Sequence, residues 1–210
     1  MSNKYPIVAV DVVIFTIKDN SLKVILIKMK KKPFAGKWAF PGGRVGLKKS
    51  LDEAAKRELF EKTGVKNVYL EQLYAFGDVK RDPFDRVVSV AYYALVDMKR
   101  IKRLETTKKY AGIGWFPLNR LPPLAYDHKT MAKMALKKLR EKMGYVKIAD
   151  GLLPYNFTLN ELQKVHEIIL DKKLDKRNFR RKIFALGIIK PAGKKRGDVP
   201  YRPAALYKFI

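Results

Sequence analysis

The sequence predicts an α/β protein in two parts: an α/β sandwich over residues 1–146 and a small, mainly helical domain over residues 147–210. In the first part, strand-forming runs alternate with two amphipathic helical segments. From about residue 150 the pattern changes to two short helices followed by two short strands. The 210 residues, 47% of them hydrophobic, suffice for one large domain or two modest ones, and they exclude a globally disordered chain.

Strand signals dominate the first part of the chain. The runs Ile7–Ile17 and Leu22–Met29 are joined by a short polar segment typical of a hairpin. Apolar residues at helical spacing predict a helix from Tyr126 to about Met143. Further strands are expected at Trp38–Phe40, Val68–Phe76, Arg86–Val96 and Gly114–Pro117.

A glycine turn at residues 41–43 leads into another predicted helix. Ser50 and Glu53 have the spacing of a capping box, so the helix should begin near Leu51. Gly64 should end it. Glu58 and Glu61 lie three residues apart and therefore share one helix face. Two carboxylates on a helix after a glycine turn suit Mg²⁺ held against a pyrophosphate.

This stretch resembles the Nudix box, a pattern of glycine, five residues, glutamate, seven residues, then Arg-Glu-apolar-any-Glu-Glu-any-Gly-apolar. Two positions depart from it, because the first glutamate is Lys49 and the last glutamate of the acidic pair is Lys62. The positions that agree are Gly43, Arg57, Glu58, Leu59, Glu61, Gly64 and Val65.

The two lysines should change the chemistry of the box. In the family the first glutamate pairs with the arginine, whereas Lys49 would repel Arg57. Lys62 lies four residues after Glu58 and is expected to pair with it, which would hold an ammonium group near a metal site. We therefore expect the box to keep its shape and to lose most of its hydrolase chemistry. The alternative is that Glu58, Glu61 and Lys62 form a solvated helix face.

No cofactor is expected, and Mg²⁺ would be held by Glu58 and Glu61 only if hydrolase activity were retained. The chain has no cysteine, which excludes a disulfide framework and thiolate metal sites.

Residues 1–6 lack a signal-peptide pattern, and no apolar run reaches the length of a bilayer span. The expected location is therefore cytoplasmic.

The second part of the chain predicts a winged helix-turn-helix of about 60 residues. Thr158 and Glu161 form a second capping box, and Asp175 caps a helix that Gly187 ends. Two short strands around a basic loop then form the wing. The expected DNA-binding residues are Lys176, Arg177, Asn178, Arg180 and Arg181 on the second helix, and Lys194, Lys195, Arg196 and Arg202 in the wing. The alternative is an accessory domain with a solvated basic face.

The formal net charge of +26 favours a polyanionic partner, with nucleic acid ahead of a membrane surface. The positive charge is spread along the chain, so charge alone does not locate a DNA site. A generally lysine-rich proteome is another explanation. A nucleic-acid binder that acts through charge alone, without sequence preference, also remains open.

Together, the two parts resemble the Nudix-related transcriptional regulators of NAD and pentose metabolism, the NrtR-like family. The resemblance spans about Val8 to Phe209 and includes residues 81–92 and 115–128. It implies a Nudix-type α/β/α sandwich followed by a small winged helix-turn-helix domain. In this family the first domain senses ADP-ribose or a sugar phosphate, and a homodimer binds operator DNA through the second.

The resemblance places the effector cleft between the Nudix box and the loop Gly77–Arg86. Guanidinium groups bind phosphate in a bidentate manner, which makes the arginines of this region candidates. The candidate ligand-binding residues are Arg44, Arg81, Arg86 and His128. The alternative function is a Mg²⁺-dependent Nudix hydrolase similar to ADP-ribose pyrophosphatase.

Overall fold

A computed structural model describes residues 5–101, 104–105, 108–143, 147–195 and 204–210. The chain divides into two compact units, Met1–Lys138 and Leu139–Ile210. The boundary expected at 146/147 adjoins residues 144–146, which are outside the described residues, so it stays a prediction.

The first unit is built on a mixed sheet that has seven strands among the described residues. The central path of the sheet runs β3-β2-β1-β6-β5, with β4 paired to β1 and β7 paired to β2. The pair β1–β6 is parallel and the other pairs are antiparallel. The strands are β1 Ile7–Lys18, β2 Ser21–Met29, β3 Trp38–Ala39, β4 Gly42–Arg44, β5 Tyr69–Phe76, β6 Val87–Leu95 and β7 Tyr110–Pro117.

The hairpin between β1 and β2 forms as the sequence predicts. Asp19 and Asn20 both have positive φ angles, of 52° and 55°, as a tight two-residue hairpin turn requires. Strand β7 begins four residues before the predicted strand at Gly114, because it pairs with β2 as far as Met29. Gly112 and Gly114 weaken the local strand signal, so pairing with β2 decides the length of β7.

Helix α1, Leu51–Thr63, packs on one face of the sheet. Its predicted start is confirmed, since both hydrogen bonds of the Ser50–Glu53 capping box are present. Its predicted end is confirmed by Gly64, which adopts a left-handed conformation with φ 68°. The side chains of Ala54, Ala55 and Leu59 join Val10, Val12 and Ile14 of β1 in the core.

Helix α2, His128–Lys142, begins two residues after the predicted start at Tyr126. Tyr126 has a φ of 54°, which a right-handed helix cannot include. The first residue of α2 contacts the sheet on the face opposite α1, where the His128 ring stacks on Phe40. Met131, Ala135 and Leu139 are fully buried and form the apolar side of the helix.

The second unit contains the predicted helix-turn-helix and wing. Helices α3, Leu159–Leu170, and α4, Lys176–Ala185, are capped by Thr158 and Asp175 as expected. The wing strands are β8, Ile189–Lys195, and β9, Ala205–Phe209. Strand β8 continues through Pro191, which lies opposite Tyr207 in the two-stranded sheet.

His166 on α3 lies where α3 meets α4. It is half-buried, with its Nδ1 atom 2.9 Å from the Leu162 carbonyl oxygen. Its ring also meets the edge of Phe179 from α4, with ring centroids 5.1 Å apart. Packing between the two helices therefore covers a residue whose own sequence neighbourhood suggests exposure.

Among the described residues, no helix is long and apolar enough to cross a membrane.

The cap of α1 gives a stability prediction. Replacing Gly64 by alanine should lower the free energy of unfolding by about 1 kcal/mol, because a Cβ is strained at positive φ. A Cβ at Gly64 would meet no atom within 4 Å, so the strain is purely conformational. The matched control is Gly46→Ala, where φ is not positive and the nearest atom is 3.8 Å away. Urea titration should show a lower midpoint for Gly64→Ala only; equal midpoints would contradict the assigned cap.

Candidate functional site

A cleft of about 360 Å³ opens at one end of the sheet in the first unit. Strands β1 and β4 form its floor. The loop before β6, the start of β7 and the start of α2 form its walls. Its polar and aromatic lining residues are Asp11, Phe40, Arg44, Arg81, Asp82, Phe84, Asp85, Lys109, Tyr110, Tyr126 and His128.

Gly43 brings the floor of the cleft against α1. A Cβ built on Gly43 would lie 2.6 Å from Glu58 Oε1, a separation that real Cβ atoms do not show. Only glycine therefore allows the backbone of β4 to approach the Glu58 carboxylate this closely. The Nudix pattern has a glycine at this position, and the close approach to Glu58 gives the physical reason.

A buried charge network joins four parts of the cleft. Arg81 donates two hydrogen bonds to Asp127, of 3.0 Å from Nε and 2.9 Å from one terminal nitrogen. The same terminal nitrogen lies 3.5 Å from Asp11 Oδ2, which also accepts a 2.6 Å hydrogen bond from Ser89 Oγ. His128 Nδ1 accepts a hydrogen bond from the Phe40 amide, so Nε2 is the ring nitrogen that carries a proton. The Nε2 atom lies 3.6 Å from Asp11 Oδ2.

The network sets the ionisation of Asp11. Burial by itself would raise the pKa of Asp11, but His128, the Ser89 hydrogen bond and Arg81 together hold it below its usual value. The carboxylate is therefore charged at neutral pH although it lies in a strand buried on both faces. It fixes the relative positions of β1, β6, α2 and the loop that carries Arg81.

Three predicted ligand-binding residues line the cleft, and one does not. Arg44 is largely exposed at the mouth, where it pairs with Asp85 at 2.9 Å. Arg81 and His128 are buried in the charge network. Arg86 instead donates hydrogen bonds to the carbonyl groups of Gly77 and Asp78, which closes the base of the loop.

Several cleft residues were not among the candidates predicted from the sequence. Lys109 and Tyr110 precede the strand predicted at Gly114–Pro117. Phe84 lies in a loop without a regular pattern, and it is 70% exposed. Asp11 carried a readable signal, because it interrupts an otherwise apolar strand. Burial and the nearby Glu58 carboxylate raise the pKa of Tyr110, so its hydroxyl stays protonated and faces the Gly42 carbonyl oxygen at 3.5 Å.

The box carboxylates are already paired with cations. Arg57 donates a 3.0 Å hydrogen bond to Glu58, whose side chain is buried. Lys62 Nζ lies 3.3 Å from Glu61 Oε2 and 5.5 Å from the centre of the Tyr110 ring. The expected Glu58–Lys62 pair is therefore wrong, because Arg57 takes Glu58 and Lys62 turns toward Glu61. The ammonium is only 1% exposed, so it is fixed in place.

Lys49, which was expected to repel Arg57, has a carboxylate partner of its own. Its Nζ pairs with Glu53 at 3.4 Å, one helical turn along, while Arg57 reaches Glu58 and the Arg44 carbonyl oxygen.

Mg²⁺ prefers several oxygen ligands and no adjacent cation. Glu58 and Glu61, each neutralised by a neighbouring cation, therefore do not suit it. The described part of the chain holds no cluster of three or more His, Cys, Asp or Glu side chains fit for a metal ion.

The second helix of the winged unit presents a basic surface. Five predicted residues of α4 have different surroundings: Lys176, Arg177, Asn178 and Arg181 are exposed, while Arg180 is half-buried. Arg181 donates a hydrogen bond to Asn178 Oδ1, 3.0 Å away, and Arg180 reaches Asn160 of α3 at 3.4 Å. Lys194 and Lys195 lie in β8 without described side chains, and Arg196 and Arg202 lie outside the described residues.

The fold and these two regions define a class of protein that joins a Nudix domain to a winged helix. Residues 6–137 match the family profile described as the NUDIX domain, and residues 151–209 match the profile of the NrtR DNA-binding winged helix domain. Both assignments agree with the elements of the two compact units. The expected fold class is thereby confirmed.

Full-length relatives carry the same combination. The chain is 35% identical over 208 residues to the ADPR responsive transcriptional repressor NtrR of Acinetobacter baylyi, covering 97% of this chain and 82% of the relative. The crystal structure of Shewanella oneidensis NrtR with a 27mer DNA superposes with a TM-score of 0.85 at 34% identity, covering 97% and 93% of the two chains. The chain therefore belongs to the NrtR family of Nudix-related transcriptional regulators.

Two further similarities concern the first domain alone. The Nudix domain of Shewanella oneidensis NrtR in complex with ADP ribose superposes with a TM-score of 0.58 at 34% identity, covering 65% of this chain and 90% of that domain. The ADP-ribose pyrophosphatase of Methanocaldococcus jannaschii is 37% identical over 129 residues, which cover 61% of this chain and 72% of the relative.

The charge network predicts a specific acid sensitivity. Because the folded-state pKa of Asp11 is below its ordinary value of 3.8, its contribution to stability is complete above that value. The contribution should disappear as the pH falls through the folded pKa. Asp11→Asn should lower the free energy of unfolding at pH 7 by about 3 kcal/mol, since Arg81 loses a buried partner. It should also flatten the loss of stability below about pH 4, where the Asp11 contribution disappears.

The measurement is urea unfolding of both proteins at a series of pH values. The matched control is Asp19→Asn, which neutralises a carboxylate paired with Lys23 on an exposed hairpin turn. An acid profile of Asp11→Asn that parallels the unchanged protein would show that the network does not hold the Asp11 charge.

Proposed function

We propose that this protein is a transcriptional repressor that binds operator DNA through its winged helix and releases or retains it in response to ADP-ribose. The observation that carries the proposal is the exposed basic face of α4 in a winged helix-turn-helix. The Acinetobacter repressor and the Shewanella DNA complex support it by likeness over nearly the whole chain.

The α4 face suits both parts of DNA recognition. Arg177 and Arg181 lie four residues apart on the exposed side, and Asn178 is held against Arg181 by a hydrogen bond. Arginine can read guanine and asparagine can read adenine in the major groove. Lys176 and the helix N-terminus suit phosphate contacts. Arg180 differs, because it is turned toward Asn160, and we assign it to positioning α4 against α3.

The cleft suits a nucleoside carrying phosphates. Arg44 and Lys109 provide cations at the mouth, while Tyr126 and Phe84 provide aromatic surface for a base. A phosphate group can replace Asp85 as the partner of Arg44 and so free the loop that Asp85 belongs to. Arg81 and His128 hold the cleft floor in this proposal, and Arg86 holds the loop base. The Shewanella Nudix domain complex with ADP ribose supports this ligand.

We further propose that the protein acts as a homodimer. A winged helix of this size reads only a short stretch of DNA, and two-fold symmetric binders gain affinity by reading two half-sites. A ligand that changes the spacing of the two winged domains would then change operator affinity.

A test of the DNA interface is Arg181→Ala. Loss of one bidentate base contact should weaken operator binding by about 10- to 100-fold, equivalent to 1–3 kcal/mol. The matched control is Arg120→Ala, which removes an exposed arginine from the first unit and should leave binding unchanged. Fluorescence anisotropy with DNA from upstream of the protein's own gene cluster provides the measurement.

The same titrations with and without ADP-ribose test the response. ADP-ribose should shift operator affinity, and the shift should persist in Arg181→Ala. Equal affinity for unrelated DNA, a steep salt dependence and no effect of ADP-ribose would instead support a binder that acts through charge alone.

A second candidate function is hydrolysis of ADP-ribose. It is favoured by the two surviving carboxylates Glu58 and Glu61 and by the likeness to the Methanocaldococcus pyrophosphatase. The pairing of both carboxylates with Arg57 and Lys62 speaks against it, since a metal ion would have to displace these cations. We therefore expect turnover far below the range of about 1 per second or more that is typical of enzymes.

The double variant Lys49→Glu, Lys62→Glu should gain Mg²⁺-dependent hydrolysis. It restores both carboxylates of the Nudix pattern and removes the buried ammonium beside Glu61. The control is Lys56→Glu, Lys66→Glu, which makes the same change of charge at exposed positions of the same helix region. Phosphate release from ADP-ribose after phosphatase treatment reports the activity. Brisk turnover by the unchanged protein would support the hydrolase, and no gain in the double variant would place the loss elsewhere.

A further inference from the structure

Two segments of the first unit carry basic residues with no acidic residue among them. Residues 20–51 contain nine Lys and Arg residues and no Asp or Glu, and residues 106–126 also contain no acidic residue. The chain has 20 acidic residues, and α1 alone holds four of them. A lysine-rich composition by itself does not account for so uneven a distribution of the acidic residues.

The sheet brings these two segments together. Strand β2 pairs with both β3 and β7, and Met29 at the end of β2 lies opposite Tyr110 at the start of β7. Lys30 Nζ also donates a 2.8 Å hydrogen bond to the Lys108 carbonyl oxygen. The lysines that follow Met29 and those that precede Tyr110 therefore form one surface. The exposed members of this lysine patch are Lys30, Lys31, Lys32, Lys37, Lys108 and Lys109.

The charge of the lysine patch is not neutralised by neighbouring side chains. Within the described part of the chain, no carboxylate oxygen lies within 4.0 Å of any of its six ammonium groups. By contrast, Lys23, Lys49 and Lys62 of the same unit each pair with a carboxylate. Six like charges held together without a counter-charge favour an anionic partner.

The turn that carries most of the patch has a fixed backbone. The Met29 amide donates a 2.9 Å hydrogen bond to the Lys37 carbonyl oxygen, and the Gly36 amide donates a 3.0 Å hydrogen bond back to the Met29 carbonyl oxygen. Phe34 of this turn packs against Tyr126, with ring centroids 4.3 Å apart. Because the backbone is already ordered, less conformational entropy is lost when the turn binds a polyanion.

The side-chain type of the patch indicates what kind of anion it fits. All six exposed cations are lysines, whose ammonium groups act as point charges without a fixed direction. Arginine and asparagine, which can read base edges, are instead present on α4. A lysine surface therefore suits the phosphate backbone of a duplex, where contacts carry no sequence information. An effector with two phosphates would engage only part of it.

We propose that the lysine patch of the first unit binds the phosphate backbone of duplex DNA, as a second DNA-binding surface beside the winged helix. The inference rests on the DNA binding of the proposed function and adds a contact that is independent of base sequence. Each lysine that contacts a phosphate releases condensed counterions. The patch thus contributes affinity and salt dependence to DNA binding, while α4 contributes sequence preference.

The test is the triple variant Lys31→Gln, Lys32→Gln, Lys108→Gln. Across the described ranges these three side chains make no hydrogen bond or ion pair, so the turn should keep its shape. The Lys30 hydrogen bond to the backbone of residue 108 is also retained. Circular dichroism verifies that the variant is folded, and titration with ADP-ribose reports on the cleft.

The matched control is the triple variant Lys18→Gln, Lys80→Gln, Lys129→Gln. It removes the same charge from three exposed positions of the first unit that lie outside the patch. Each of these lysines has an aspartate within two residues along the chain, so its local charge is already balanced. The control should bind DNA as the unchanged protein does.

Binding is measured by fluorescence anisotropy at salt concentrations from about 50 to about 200 mM, on operator DNA with its flanking sequence and on a scrambled duplex of equal length. The slope of log K against log salt should become shallower by about 0.9 for each lost phosphate contact, and so by about 2 to 3 for each protomer. At the lowest salt, both duplexes should bind the patch variant about 10- to 100-fold more weakly, with the ratio of their affinities unchanged.

The outcomes separate the patch from the proposed function. Unchanged DNA affinity and salt slope in the patch variant overturn the inference, and weaker ADP-ribose binding alone would assign the patch to the cleft. Loss of operator preference without a change of slope also overturns it. A shallower slope in the patch variant of a protein that binds both duplexes equally supports the inference and contradicts operator recognition. An unchanged protein that binds neither duplex overturns both.

Discussion

The charge on Asp11 is the constraint around which the first unit is built. The carboxylate lies in the middle of a strand with apolar neighbours on both sides, where an uncompensated charge would be costly. Ser89, Arg81 and His128 supply the compensation, and they come from β6, the cleft loop and α2. These elements must meet at one point for the strand to be buried at all, so the network that stabilises Asp11 also forms the floor of the cleft.

The Nudix box keeps its geometry while its electrostatics are changed. Gly43 still allows the β4 backbone to reach Glu58, and the capped helix still carries its carboxylates on one side. The buried ammonium of Lys62, however, occupies space between Glu61 and the Tyr110 ring. We therefore propose that this cleft binds an anion without cleaving it.

In the winged unit, the core contacts and the basic surface of α4 lie on opposite sides of the helix. Phe179 and Ile183 of α4 are buried, and the exposed side carries the basic residues. Arg180 lies between these two sides and is drawn toward α3 by Asn160. Helical spacing alone predicts the same surroundings for Arg180 and Arg181, but the neighbouring helix partly covers Arg180 and leaves Arg181 exposed.

The sequence by itself determined the elements whose signals are local. Capping boxes, the glycine that ends α1, the hairpin turn and the apolar periodicity of the helices act within a few residues, so the starts of α1, α3 and α4 and the class of both domains could be predicted. The register of the Nudix pattern likewise located Glu58, Glu61, Lys49 and Lys62 before any contact was known.

Tertiary structure alone decided which side chains pair and which residues meet in the cleft. Glu58 pairs with Arg57 although Lys62 lies one helical turn away, because packing buries Lys62 beside Tyr110. Lys109, Tyr110, Tyr126 and Phe84 reach the cleft from loops and strand ends that are distant in sequence. Contacts of this kind depend on the closure of the sheet and the positions of its loops, and no local pattern of residues encodes them.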